Sequence, residues 1–315
     1  MIPLHNKAQF VTETIESCVR QSYAAIEIVV IDDESTDASA DLARAAIGQR
    51  GGVTTISNGG VSNARNVGAS RAAPTSELLL FLDADDVLED DAVEEMVSAL
   101  QQHPDWVACY SAPSFIDATG ADLPDERVPV RWAPTRFGRR RIAEDDSWTP
   151  LEAIWSNFFV IPSSCLIRRE AFERTSGWDS TLCRPANPFH SEDKDMMIQL
   201  ALIGDLRRVR EHLVRYRILP SGHRDALYAG LSALNEKWWA VPRSDPRRSR
   251  VRRAIRFEAR VRLLDSAGAL RRALAARRMG EASRATRGTV RSLLRFALVH
   301  LPLKRLPDRR RSRRR

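Results

Sequence analysis

Three carboxylates, Asp83, Asp85 and Asp86, follow directly on the apolar run 78–82. Five consecutive apolar residues read as a strand covered on both faces. Such a strand does not end in clustered negative charge without a compensating ion or partner. Oxygen ligands suit a hard divalent cation, which completes its shell with phosphate oxygens and water, so the triad could grip a diphosphate through a metal. The bland alternative is an acidic turn capping a helix that begins near Asp90. A second acidic pair, Asp32-Asp33, closes the run 26–31, apolar but for Glu27, and Glu192-Asp193 with Asp195 stands at the head of a later helical pattern. Carboxylates that face a crevice from opposite sides could divide the work of holding a cation and accepting a proton.

The elements that must position these groups are legible from apolar spacing. Phe10, Val11, Ile15, Cys18 and Val19 share one face of a helix over 8–20, and the strand 26–31 follows. Ser35 and Thr36 are suitable caps for a helix over 37–47. A short strand over 53–56, a helix over 62–72, the strand 78–82, a helix over 90–100 and a strand over 106–110 come next. Strands alternating with helices imply right-handed βαβ units and a mostly parallel sheet. In such sheets ligands sit beyond the carboxyl ends of the strands, where both Asp32-Asp33 and Asp83 to Asp86 fall. Residues 111–150, rich in Pro, Arg, Asp and Gly without periodicity, are expected to form a long mobile loop over a site. A helix over 150–157, a strand over 165–168 and a helix over 194–203 follow. From residue 224 the pattern is only helical, including 251–264 and 290–301.

The 315-residue chain of 35.5 kDa, 43% apolar and 29% charged, is globular in composition and long enough for one large α/β domain with a smaller appendage. Cys18, Cys109, Cys165 and Cys183 have no metal-ligand spacing and are expected to be free thiols in a reducing cytoplasm. No signal peptide opens the sequence, and no apolar stretch approaches the ~20 residues that span a bilayer, so a soluble or peripheral protein is expected. The net charge of +8 is unevenly placed, because arginine dominates after about residue 243 and the chain ends in the Arg-rich segment 309–315. That tail is either solvated and disordered or a contact for anionic lipid or nucleic acid. Neither a GxxxxGK[ST] loop nor a GxGxxG fingerprint occurs, so ATPase and dehydrogenase readings have no support.

Taken in order, the motifs resemble those of family-2 glycosyltransferases, inverting enzymes of the GT-A fold, over roughly residues 1 to 220. Ile2-Pro3-Leu4-His5-Asn6-Lys7 is similar to the family's first βα turn, and Gln21-Ser22-Tyr23 to its helix ending. Ile31-Asp32-Asp33-Glu34-Ser35-Thr36-Asp37 matches its V-D-D-x-S-x-D box. Gly60 to Asn66 resembles G-x-x-x-A-R-N, and Phe81-Leu82-Asp83-Ala84-Asp85-Asp86 its metal motif. Gly177-Trp178-Asp179, followed by Ser191-Glu192-Asp193, resembles the acceptor-side pair.

The resemblance implies a GT-A-like Rossmann-type, mostly parallel sheet flanked by helices, with a C-terminal helical appendage. It implies a catalytic unit over 1–222 (nucleotide-sugar half about 1–110, acceptor half about 111–222), a helical region over 223–304, and an Arg-rich tail over 305–315. On this reading Asp85 and Asp86 hold a divalent cation, Mg2+ or Mn2+, and Asp83 lies nearer the ribose or the metal's outer shell. Pro3 and His5 sit in the nucleotide turn, His5 stacking on a base that is uracil or related, and Asp33 accepts a hydrogen bond from that base. Arg65 contacts diphosphate or sugar, or else pairs with a neighbouring acid. Asp193 is the general base, because inversion requires deprotonation on the face opposite the leaving group; Glu192 and Asp195 compete for the role. Trp178 lines the acceptor pocket or belongs to the core.

The expected partners are a UDP-type nucleotide-sugar and a glycan or lipid-linked acceptor, in cell-surface polysaccharide or glycoconjugate synthesis. An anionic membrane surface is a further candidate, reached through an amphipathic stretch with Leu293, Leu294, Phe296, Leu298 and Val299; the location would be cytoplasmic, peripheral at the inner face of the plasma membrane. The alternatives are a GT-A scaffold without catalysis and, last, nucleic-acid binding by the basic end. Two departures stand out. Only Met1 and Ile2 precede Pro3, so either the true start lies upstream or the first strand is cut short, which would weaken the sheet beside the nucleotide. The segment 179–191 is also longer than the pattern leads one to expect.

Overall fold

The computed structural model describes residues 1–124, 151, 154, 160–182, 191–209, 212–219, 234–257 and 259. The elements are β1 (Ile2–Leu4), α1 (Val11–Val19), β2 (Ile28–Asp32), α2 (Ser39–Ile47), β3 (Gly51–Thr55), α3 (Val61–Arg71), β4 (Leu78–Leu80) and β5 (Val87–Leu88). They continue with α4 (Ala92–Gln102), β6 (Trp106–Tyr110), β7 (Pro113–Ile116), β8 (Cys165–Arg168), α5 (Arg169–Glu173), α6 (Glu192–Ile203), β9 (Asp205–Arg208) and β10 (Val214–Arg217). Residues 234–239 and 248–257 are also helical.

Strands β1, β2 and β3 pair in parallel, with Ile2, Pro3 and Leu4 facing Val30, Ile31 and Asp32 in register. A second set runs β4-β8-β6-β9, in which β8 is antiparallel to both neighbours and β9 is parallel to β6. The two sets join at the chain start. The Met1 amino group donates to Leu80 O at 2.9 Å, and Leu82 N donates to Met1 O at 3.0 Å, which lays β1 beside β4. All three residues of β1 are buried and paired in register with β2. A small sheet, β5-β10-β7, covers the end of β4.

Helices cover both faces, and alternation along the strands explains how. Cys165 and Ile167 of β8, with Ala108 and Tyr110 of β6, join a cluster with Trp178 and the apolar residues of α6. Leu166 and Cys109, between them, turn to the opposite cluster with Val11 and Ile15 of α1, Ala43 of α2 and Met96 of α4. Leu234, Trp238, Val251, Ala254 and Ile255 belong to the first cluster, so the described helical residues after 233 share a core with the sheet.

Several sequence expectations shift. Ser35 and Thr36 do not cap α2: Ser35 Oγ accepts from Asn6 N at 3.0 Å, and Thr36 N donates to Asn6 Oδ1 at 2.8 Å. Asp37 Oδ1 instead accepts from Ser39 N at 2.9 Å in the first turn. Strand order extends into 111–124, where a long loop is expected, because β7 gains its ladder from β10, which lies a hundred residues on by sequence (Ser114 faces Arg215). The expected helix over 150–157, beyond its helical and buried Leu151 and Ile154, lies outside the described residues, as do 183–190, the stretch 290–301 and the tail 305–315.

Cys18, Cys109 and Cys165 are buried free thiols. Burial pushes the Cys18 pKa up to about 11 and that of Cys109 to about 12. A thiol with a raised folded pKa adds stability below its unfolded pKa, near 8.5, and that stability is lost as the pH rises toward the folded value. Iodoacetamide at mildly alkaline pH should therefore leave these three cysteines unlabelled in the native protein and label them in urea, as read by peptide mass spectrometry.

Candidate active site

The donor side is built at the carboxyl ends of β1 and β2. Asp33 is buried, and its two carboxylate oxygens accept from Gly59 N and Gly60 N, each at 2.8 Å. Gly60 takes φ +83 at the entry to α3, a left-handed conformation that glycine adopts without strain. Asp33 thus locks the turn before α3, and each oxygen keeps acceptor capacity. His5 is exposed, with Nδ1 at 2.8 Å from Asp33 O, which holds its ring beside the same turn. Pro3, by contrast, is buried within β1. Asp32 Oδ1 accepts from Ser35 N at 3.2 Å and closes the β2 turn, a structural role.

After β4 the three adjacent carboxylates part company. Asp85 is partly exposed and ion-paired to Lys7 Nζ, and Asp83 is partly exposed with Oδ1 at 2.7 Å from Arg65 NH2. Asp86 is fully buried; Ser163 Oγ donates to its Oδ2 and Arg217 N donates to its Oδ1 at 3.0 Å. Burial, followed by repulsion from Asp83 and Asp85, pushes its pKa well above the usual carboxylate range. Each Asp86 oxygen accepts one hydrogen bond, anchoring β10 and the Ser163 turn, and keeps acceptor capacity, so the expected metal pair Asp85 and Asp86 stays a proposal. Among the described residues no three His, Cys, Asp or Glu side chains are clustered to hold an ion. Asp83 and Asp85 nevertheless fit a divalent cation that draws its remaining ligands from phosphate and water. The Lys7 ammonium lies against Asp85, so that carboxylate already recruits a positive charge.

The acceptor side meets the donor side at Arg65, on α3. Only 2% exposed, it donates through NH1 to Asp193 Oδ1 at 2.8 Å and approaches Glu192 Oε1 at 3.6 Å. Its Cζ lies 4.4 Å from the centre of the Trp178 ring. Burial alone would lower its pKa, yet Asp83, Asp193 and Glu192 outweigh that penalty and raise it. Of the acids in the first turn of α6, Asp193 has a third of its side chain exposed, whereas Glu192 and Asp195 are buried. Asp195 accepts from Trp238 Nε1 at 2.7 Å and from Lys237 Nζ at 2.8 Å, which ties α6 to the helix over 234–239. Lys237 Nζ also reaches Asp179 Oδ2 at 2.8 Å.

Trp178 is a core residue rather than a pocket wall, packed edge-on against Phe81 with ring centres 5.1 Å apart. Asn66, next to Arg65, holds the backbone of Trp178 from both sides, its Oδ1 accepting from Trp178 N and its Nδ2 donating to Trp178 O, each at 2.9 Å. Sequence reasoning missed Lys7, Ser163, Arg217 and Lys237. Lys7 has a visible signal, a cation two residues beyond His5 in the nucleotide turn. The other three act across more than 40 residues and leave no local pattern.

Residues 1–175 match the family described as Glycosyl transferase family 2. That is more than half of the chain, which therefore belongs to this family. Glycosyltransferase GlyG of Streptococcus pneumoniae is 25% identical over 183 residues, covering 55% of this chain and 56% of that protein. The uncharacterized glycosyltransferase EpsJ of Bacillus subtilis is 30% identical over 240 residues, covering 72% and 63%. The match thus spans little more than half of GlyG. Among solved structures, S. aureus TarS 1–349 in complex with UDP-GlcNAc superposes with a TM-score of 0.56 at 13% identity, over 90% of this chain and 88% of that one. Glucosyl-3-phosphoglycerate synthase from Mycobacterium tuberculosis, in complex with Mn2+, UDP and phosphoglyceric acid, gives 0.52 at 15% identity over 77% and 78%. At such identity the likeness is one of fold, and that fold is GT-A.

Replacing Arg65 by alanine should cost about 3 kcal/mol in urea unfolding, because it removes the buried counter-charge that Asp83, Glu192 and Asp193 share. Arg65→Lys should recover only part of that loss, since an ammonium cannot span two carboxylates in the guanidinium plane.

Proposed function

We propose that the chain is a metal-dependent inverting glycosyltransferase, moving a sugar from a nucleoside-diphosphate donor, read as UDP-linked, to a hydroxyl of a glycan or lipid-linked acceptor. Its setting is synthesis of a cell-surface polysaccharide or glycoconjugate. The observation that carries this reading is Arg65, one buried cation that binds Asp83 on the donor side and Asp193 on the acceptor side. The pairing brings two partly exposed carboxylates from distant parts of the chain to one guanidinium, which supports a donor-side acid and an acceptor-side base in one site.

Each residue then has a task. Asp85, with Asp86 or Asp83, would hold the cation, Mg2+ or Mn2+, which when bound neutralises charge on the departing diphosphate. The turn locked by Asp33, with His5 beside it, receives the base. Asp193 takes the proton from the incoming hydroxyl, oriented by the Arg65 bond to one of its oxygens. Asp86 keeps the Asp83–Asp85 turn in shape from below. The UDP bound by TarS and by the mycobacterial synthase supports a uridine donor by similarity of fold.

Asp193→Asn should lower transfer roughly a hundredfold to ten-thousandfold while leaving calorimetric binding of the UDP-sugar unchanged, the signature of a lost base. Asp85→Ala, or EDTA on the parent protein, should abolish metal-dependent nucleotide binding in the same titration. Retention of tight binding in either case would remove the metal from this reading.

A further inference from the structure

The helix over 248–257 has two faces. Val251, Ala254 and Ile255 are buried in the cluster that contains α6, and Arg250 NH2 donates to Ala201 O at 3.2 Å. Arg248, Arg252 and Arg256 recur every fourth residue, and like charges at that spacing repel. Burial, then Arg248, Arg256 and Arg243, hold the Arg252 pKa below the usual guanidinium value, so the four cations lie close together. The nearby acid Asp245 is taken by Arg247 at 2.8 Å. Among the described residues Arg243, Arg248, Arg252 and Arg256 form no ion pair with a carboxylate.

The stripe also has an apolar border. Arg252 lies over the Trp239 ring at 4.4 Å, and Trp239 and Val241 are only partly buried. Half of the chain's 49 basic residues, but few of its 41 acidic ones, fall after residue 242, so the body that carries the acidic crevice is oppositely charged to this end. Guanidinium groups with no carboxylate partner among the described residues, beside a partly buried indole, match a bilayer interface, where phosphates meet the cations and the ring sits among headgroups.

We propose that this arginine face docks the protein on an anionic phospholipid surface. The contact lies on the described helix over 248–257. The Trp239 indole beside the arginines favours a bilayer interface, where tryptophan sits at headgroup level, over a nucleic-acid backbone. Because the helix packs on the α6 side, docking would hold the acceptor half next to the bilayer, and that corollary alone rests on the glycosyltransferase reading.

The test is cosedimentation of the full chain with vesicles of phosphatidylcholine alone, or mixed with phosphatidylglycerol, at low and high salt. Binding should be confined to the mixed vesicles and weaken with salt. The triple variant R248Q/R252Q/R256Q should lose on the order of a hundredfold in partitioning, about fivefold per arginine, and the corresponding triple lysine variant should keep most of it. Hydrogen exchange on the unaltered protein gives an answer independent of variant folding: amides 248–257 should slow on mixed vesicles only. The proposal is overturned by equal binding to phosphatidylcholine, by a folded glutamine variant that binds as before, or by loss that follows only removal of 305–315. Duplex DNA or RNA displacing the vesicles would assign the face to nucleic acid instead. These readouts need no donor, acceptor or metal, so they stand or fall apart from catalysis.

Discussion

A guanidinium taken almost wholly out of water must find its counter-charges inside the protein, and Arg65 finds them on two different parts of the chain. Asp83 comes from the end of β4 and Asp193 from the first turn of α6, and both must point at the same cation to offset its desolvation. Much else follows from satisfying it. The Asp33 clamp on Gly59 and Gly60 sets where α3 starts, and hence where Arg65 stands. The indole of Trp178 covers the flat face of the guanidinium, and Asn66, one residue on, fixes the backbone of that tryptophan. A single turn of α3 therefore joins the end of β4 to the first turn of α6.

Around that cation, residues of the same type acquire different chemistry by burial alone. Asp85 and Asp86 are neighbours in sequence, yet one pairs with Lys7 at the crevice and the other is sealed under β10 with its proton favoured. Glu192, Asp193 and Asp195 repeat the pattern on α6: only Asp193 keeps substantial exposure, while Asp195 anchors Lys237 and Trp238. A carboxylate is useful for proton transfer or metal binding only where one side meets solvent or substrate. The buried ones hold the geometry that leaves their neighbours exposed.

Charge is also segregated across the whole molecule. Five carboxylates, Asp32, Asp33, Asp83, Asp85 and Asp86, stand at the ends of β2 and β4, whereas the arginines concentrate after residue 242. The helical residues 234–257 connect these two regimes. Trp238 and Lys237 reach α6 from within, while Arg248 and Arg252 lie at the periphery of the same segment.

The alternation of strands and helices, the apolar faces of α1 and α4, and the acidic ends of β2 and β4 were set by local sequence, because periodicities of two and 3.6 residues and abrupt apolar-to-acidic boundaries are short-range properties. Which acids would gather at one crevice could be inferred from topology, since strand ends share an edge. The inward turn of Asp86, the core position of Trp178, the ladder of β7 on β10 and the clamp of Lys237 on Asp179 and Asp195 were decided only by the tertiary structure. Each depends on partners brought together from distant parts of the chain, 131 residues apart for Asp86 and Arg217 and 128 for Arg65 and Asp193. Burial and pairing are properties of the assembled core, and no local pattern of residues carries them.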